Sequence, residues 1–292
     1  MTGIYSNETE ITGYNGLYTI SNITASTSIT ATYSIMPVEL ILNDANSNEE
    51  ALENYLGRKV NTLTLSGRTL YKDGSWNTLC LPFDVTISGS VLDGAVVKTL
   101  SSSDYDSETG TLTLNFTDVS PSGEQGGLEA GKPYIVKWNG DGTQNIVSPI
   151  FEGVTISSTA ATETDGSGWV DFVGTYSPMV IYENGSEKHN LYLGSSNKLY
   201  YPTREDFMVN ACRAYFRLKN GLTAGEPSAP QQALARAFVL NFGDGEPSAI
   251  STLRANTAPA ADGTYTLDGR RLTGKPTAKG LYIVNGKKII IK

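Results

Sequence analysis

The strongest constraint on this chain is a pattern. Short runs alternate apolar and polar residues, and Asx-Gly pairs punctuate the stretches between them. Leu112, Leu114 and Phe116 alternate with Thr111, Thr113 and Asn115, and Arg236, Phe238, Leu240 and Phe242 alternate with Ala237, Val239 and Asn241. Cys212, Ala214, Phe216 and Leu218 likewise alternate with Arg213, Tyr215, Arg217 and Lys219. A period of two places each set on one face of a strand, so each run reads as a strand with one face toward a core. The turn signals are Asp73-Gly74, Asp93-Gly94, Asn139-Gly140, Asp141-Gly142, Asn184-Gly185 and Asp244-Gly245, pairs that tolerate the positive φ of tight turns. The expected fold is all-β: an antiparallel, sandwich-like main domain of jelly-roll or Ig-like kind, with small β-hairpin pieces at both ends.

One segment has a helical pattern. Ser47 to Gly57 opens with a capping residue, carries Glu49 and Glu50 in its first turn and stops at glycine. Ala51, Leu52, Tyr55 and Leu56 form its apolar stripe. The chain divides into 1–36, closing strands of a preceding repeat, 37–245, the main domain, 246–262, a linker rich in Ala, Pro, Ser and Thr, and 263–292, a short hairpin segment. In the first piece Tyr18 and Ile20, then Ile29, Ala31 and Tyr33, alternate as strands do. In the last, Asp268-Gly269 and Asn285-Gly286 sit between strand-like runs as two-residue turns.

Composition narrows function by exclusion. The formal charge is −8, and no cluster of Lys or Arg supplies the basic face that nucleic acid requires. No window approaches the roughly 18 apolar residues of a membrane span. Met1 to Glu8 lacks the charged and apolar regions of a signal peptide, so the chain is expected to be a portion of a larger exported protein. Cys80 and Cys212 are the two cysteines, compatible with one disulfide or two buried thiols, and no Cys/His cluster points to zinc.

Three stretches together resemble a known module: Trp76-Asn77-Thr78-Leu79-Cys80-Leu81-Pro82-Phe83, Ala130-Gly131-Lys132-Pro133-Tyr134-Ile135-Val136, and Arg213-Ala214-Tyr215-Phe216. In this order they resemble a β-rich module near the C-termini of large secreted or surface proteins of Bacteroidota, whose hosts include leucine-rich-repeat, internalin-type-repeat and polysaccharide-degrading proteins. The resemblance spans about residues 38–245 and brings no assigned chemistry. Tyr265-Thr266-Leu267-Asp268-Gly269-Arg270-Arg271 and Lys279 to Lys288 are similar to type IX secretion sorting domains. Residues 14–35 resemble the closing strands of an internalin-type or bacterial Ig-like repeat. The resemblance implies an extracellular or cell-surface location.

The candidates for chemistry are few. His189 is the only histidine able to serve a nucleophilic triad, and its setting, Asn184 to Asn190, reads as a solvated polar turn. Glycoside hydrolysis needs two facing carboxylates, but most acids here stand in turn contexts. Asp44 to Glu50 offers oxygens at alternate positions, yet Glu49 and Tyr55 replace the Gly and closing Glu of an EF-hand loop. Asn139 and Asp141 are the other candidate ligands for a structural Ca2+; no further cofactor is expected. The aromatics are the richer set, because sugar rings stack on flat π surfaces. Trp138, Trp169, Tyr200 and Tyr201 lie in or beside polar turns and are the candidate ligand-binding rings, each also readable as core packing. The expected function is a non-catalytic structural and adhesive β-module, with loop aromatics as contacts for glycan or host protein. A dedicated carbohydrate-binding module is the alternative, and a glycosidase using a carboxylate pair comes third.

Overall fold

The computed structural model describes residues 20, 25–32, 37–119, 127–140, 144–161, 163–164, 168–194, 197–225 and 233–243. It also describes the backbone of terminal strands at 3–6, 9–10, 248–252, 264–266, 271–272, 280–284 and 287–291. Two sheets dominate. A six-stranded sheet runs in the order Ser248–Thr252, Ala237–Asn241, Thr111–Asp118, Val96–Asp106, Pro133–Lys137, Asn77–Cys80. A five-stranded antiparallel sheet runs Glu163–Thr164, Val170–Thr175, Arg213–Leu218, Asn190–Gly194, Lys198–Tyr200. The fold is all-β and sandwich-like, as the alternation predicts.

The alternating residues meet between the two sheets. Leu112, Leu114, Phe116, Phe238 and Leu240 from one sheet share a buried core with Phe172, Leu191, Phe216 and Leu218 from the other. Phe172 and Phe216 stand directly opposite in their ladder and stack at 4.5 Å and 7°. Phe116, from the facing sheet, meets both edge-on at 6.4 and 6.2 Å. These are the two geometries that the ring quadrupole favours.

A second core lies on the opposite face of the six-stranded sheet. Strand Glu39–Asn43 pairs in parallel with Thr62–Ser66, and helix Glu49–Tyr55 makes the crossover that a parallel pair requires. Leu40, Leu42, Leu52, Leu63, Leu65 and Phe151 pack there against Leu79, Tyr134 and Val136. Strand Pro133–Lys137 therefore faces two cores, with Ile135 in the sandwich and Tyr134 and Val136 in the second. That is why its apolar residues run continuously instead of alternating.

Several expectations need correction. Besides Glu39–Asn43 with Thr62–Ser66, strands Thr111–Asp118 and Ala237–Asn241 also pair in parallel, a long-range pairing with no local signal. Cys212 leaves the face of its strand: with φ +54 it sits in the preceding turn and packs into the second core. The helix is shorter than its pattern, with Asn48 at the N-cap and Leu56 51% exposed beyond its end. Ser248–Thr252, read as linker, is the edge strand of the larger sheet, a place that needs backbone pairing more than an apolar pattern. Ile20 lies outside any strand, whereas Ile29–Thr32 pairs with Gly3–Ser6. The two C-terminal strand pairs form as read, in the order Arg271–Leu272, Thr264–Thr266, Gly280–Val284, Lys287–Ile291.

Replacing Phe216 by Ala removes the ring that touches both Phe172 and Phe116. The expected loss of stability is about 3–5 kcal/mol, read from denaturant melts with an unchanged slope. A loss below about 1 kcal/mol would mean that the sandwich core does not rest on this ring cluster.

Candidate ligand site

Among the described residues a cavity of about 720 Å³ opens where the outer strand Asn77–Cys80 comes beside the smaller sheet. Tyr192, Leu193 and Gly194 line it from strand Asn190–Gly194, and Phe207 to Asn210 line it from the segment before strand Arg213–Leu218. Arg68 and Thr78 lie deeper, while Tyr71, Asp73 and Ser75 belong to a loop nearer solvent.

Each wall is held by its own contacts. Asn77 clamps the loop, accepting from the Tyr71 N–H at 2.8 Å and donating to the Tyr71 carbonyl at 2.9 Å. Asp73 accepts from the Ser75 N–H at 2.9 Å, and this bond chiefly holds its carboxyl below the usual range. Tyr192 and Phe207 pack on each other at 4.3 Å with their planes tilted by 30°, on a small cluster of Val173, Ile181, Val209 and Tyr215. Tyr200 stacks on Tyr192 at 5.7 Å and crosses Gly194, where a Cβ would meet the Tyr200 ring at 2.7 Å. Glycine at 194 thus lets Tyr200 lie flat. Burial, and Tyr200 beside it, keep the Tyr192 phenol protonated above its ordinary range.

The rings singled out in the sequence have different fates. Trp138 is not an exposed stacking ring: it is 3% exposed, sits in the second core and donates Nε1 to the Asp93 carbonyl at 3.0 Å. The turn that follows it is polar, but its strand faces two cores, so the ring is drawn inward. Trp169 is half-buried against Tyr105 at 5.2 Å, and Tyr201 is half-buried against the sandwich core. Tyr200 is the outer member of the ring stack. Tyr192 and Phe207, which line the cavity, carry no mark in the sequence that separates them from core aromatics. Trp76, 6% exposed, lines the cavity while packing on Phe242 at 4.9 Å.

The remaining candidates resolve locally. His189 lies in the polar loop, as read, with its side chain 29% exposed, but it is engaged there: its Nδ1 lies 2.8 Å from Glu183 Oε1, while Glu183 Oε2 accepts from the N–H groups of His189 and Asn190 at 2.5 and 2.8 Å. This arrangement pins the entry to the cavity-lining strand. Asp44 is spent on Arg213 Nη2 at 2.9 Å and on Asn210 Nδ2 at 2.8 Å. Asn48 binds the Asn43 backbone and the Tyr176 carbonyl. Those oxygens therefore serve the fold rather than a cation loop. Among the described residues no three His, Cys, Asp or Glu side chains gather as metal ligands; Asn139 is exposed, and Asp141 lies outside those residues. Among the same residues no helix is long and apolar enough to cross a membrane.

A second depression, of about 850 Å³, runs between Asp84–Thr86 and Ile150–Thr155, but its one ring, Phe151, is fully buried. Comparison of the chain with protein-family models, with curated proteins and with solved structures finds no match.

Cys80 and Cys212 are buried, unbridged thiols. Burial raises both, Cys212 up to about 12 and Cys80 further, so the folded chain keeps both protons where unfolded thiols, near 9.0, lose theirs. Stability from this source is complete below that value and falls as pH rises past it. Denaturant midpoints should therefore drop above about pH 9, and neither thiol should react with a disulfide reagent at about pH 8 until the chain unfolds. Rapid labelling of the native protein, or a midpoint unchanged into the alkaline range, would contradict this burial.

Proposed function

We propose that this chain is a non-catalytic structural and adhesive β-module of an exported bacterial surface protein, and that it holds a sugar ring of a glycan in the cavity beside strand Asn77–Cys80. The observation that carries the reading is the concentration of aromatic groups there. Tyr71 is 51% exposed in the loop nearer solvent, Tyr192 and Phe207 form a rigid pair on the wall, and Met208, 49% exposed, lies next to them. Sugar C–H faces gain from such surfaces, and most of the lining is already immobilised by packing, which lowers the entropy lost on binding.

Binding is favoured over hydrolysis by the carboxylates. Asp73 is the one acid among the described residues lining the cavity, and it is engaged in its own turn. A glycosidase requires two acids across the scissile bond. The placement on an exported Bacteroidota protein rests on the sequence resemblance alone.

Affinity electrophoresis in gels containing plant and host polysaccharides tests the reading. Wild type should be retarded by at least one polymer. Tyr71→Ala, at an exposed ring, should weaken retention roughly tenfold with little change in melting temperature. Trp138→Ala should instead lower the melting temperature. A folded Tyr71→Ala, Phe207→Ala double variant retarded as strongly as wild type would refute the assignment. So would polysaccharide cleavage abolished by changing one acid.

A further inference from the structure

We propose that the cavity selects an acidic sugar, a uronate-type ring whose carboxylate docks on Arg68. This deepens the sugar-binding reading and rests on it. Arg68 is 2% exposed and lines the cavity. Its Nη2 donates to the Thr78 carbonyl at 2.8 Å, but Nε and Nη1 are buried with no acceptor. Among the described residues no carboxylate pairs with it.

Arginine stays protonated at any pH at which the protein folds, so this is a permanent charge held out of water without a counter-charge. Such a group is costly to the fold unless something satisfies it. The protein satisfies its other cationic group at this site, because Arg213 has Asp44 at 2.9 Å. Arg68 is the exception, and the cavity is where a missing acceptor can enter. Nη2 keeps one further N–H, and this bond together with the adjacent N–H of Nη1 or Nε makes one fork that a carboxylate accepts as two parallel bonds. Those atoms are closed to solvent, so a carboxylate reaches them only when the lining opens.

The remaining lining decides the kind of acid. One uncompensated charge matches a monoanion, and Asp73 opposes a doubly charged phosphate. The outer side of Phe207, with the exposed Tyr71 and Met208, supplies the apolar surface that a sugar uses and an acidic side chain of a protein partner does not. The whole chain carries −8, which repels polyanions, so retention by an acidic polymer would not be simple ion exchange.

The test compares acidic polysaccharides (polygalacturonate, alginate and hyaluronan) with the same polymers after chemical reduction of their carboxyls to alcohols, using wild-type protein. At least one acid form should bind, and its reduced form should bind roughly tenfold more weakly or worse, the worth of a charge-assisted hydrogen bond. In Arg68→Met that preference should vanish while any residual binding becomes the same for both forms. Should Arg68→Met fail to fold, the wild-type comparison decides alone. Equal binding of acid and reduced forms, or binding confined to neutral glycans, overturns the role of Arg68 and leaves the sugar site standing. Binding of no glycan at all, or of acidic peptides in place of uronates, overturns both.

Discussion

The structure depends on strand Pro133–Lys137 being buried on both faces. Ile135 enters the sandwich between the large sheets, while Tyr134 and Val136 enter the core built from the parallel pair, the helix and Phe151. Its neighbour Asn77–Cys80 is buried at every residue as well. A strand in this position has no wet face, so its backbone must be fully paired and its side chains must fit two surfaces at once. Gly174 shows how tight the fit is: a Cβ there would come within 2.4 Å of Cys80 Sγ. The two cores are thus mechanically joined, and a change in one is felt in the other.

The cavity is a consequence of this arrangement. Strand Asn77–Cys80 is the last of its sheet, and the smaller sheet passes beside it, leaving a recess bounded by Arg68, Tyr192 and Phe207. Its walls come from separate parts of the chain, each locked by its own bonds: Asn77 on the Tyr71 loop, Glu183 on the entry to strand Asn190–Gly194, Asp44 on Arg213. The Arg68 guanidinium, with Nε and Nη1 lacking acceptors, is the most specific chemical feature of this lining.

Much of the fold was legible from local pattern. Leu112, Leu114, Phe116, Phe238 and Leu240 are buried as their alternation demands, and Gly74, Gly94 and Gly185 take positive φ in the turns their Asx-Gly pairs announce. The site was hardly legible at all. Trp138 stood beside a polar turn and proved to be core, because burial of its strand on both sides is not visible in adjacent residues. Tyr192 and Phe207 are ordinary strand and loop aromatics until the ladder with Tyr200 and the packing on Val173 and Ile181 bring them together. His189 stands in the polar loop as read, but Glu183 becomes its partner only when the loop closes.

Periodicity and turn chemistry act between neighbours, within about two to four residues, so the chain alone determined its strand-rich class, its turns, its short helix and most of its core. The parallel pairing of Thr111–Asp118 with Ala237–Asn241, the second core, and an arginine left without an acceptor beside a wall of rings join residues more than a hundred positions apart. Such contacts are selected by the global packing of two sheets and a helix rather than by local preference. Only the tertiary structure could decide them.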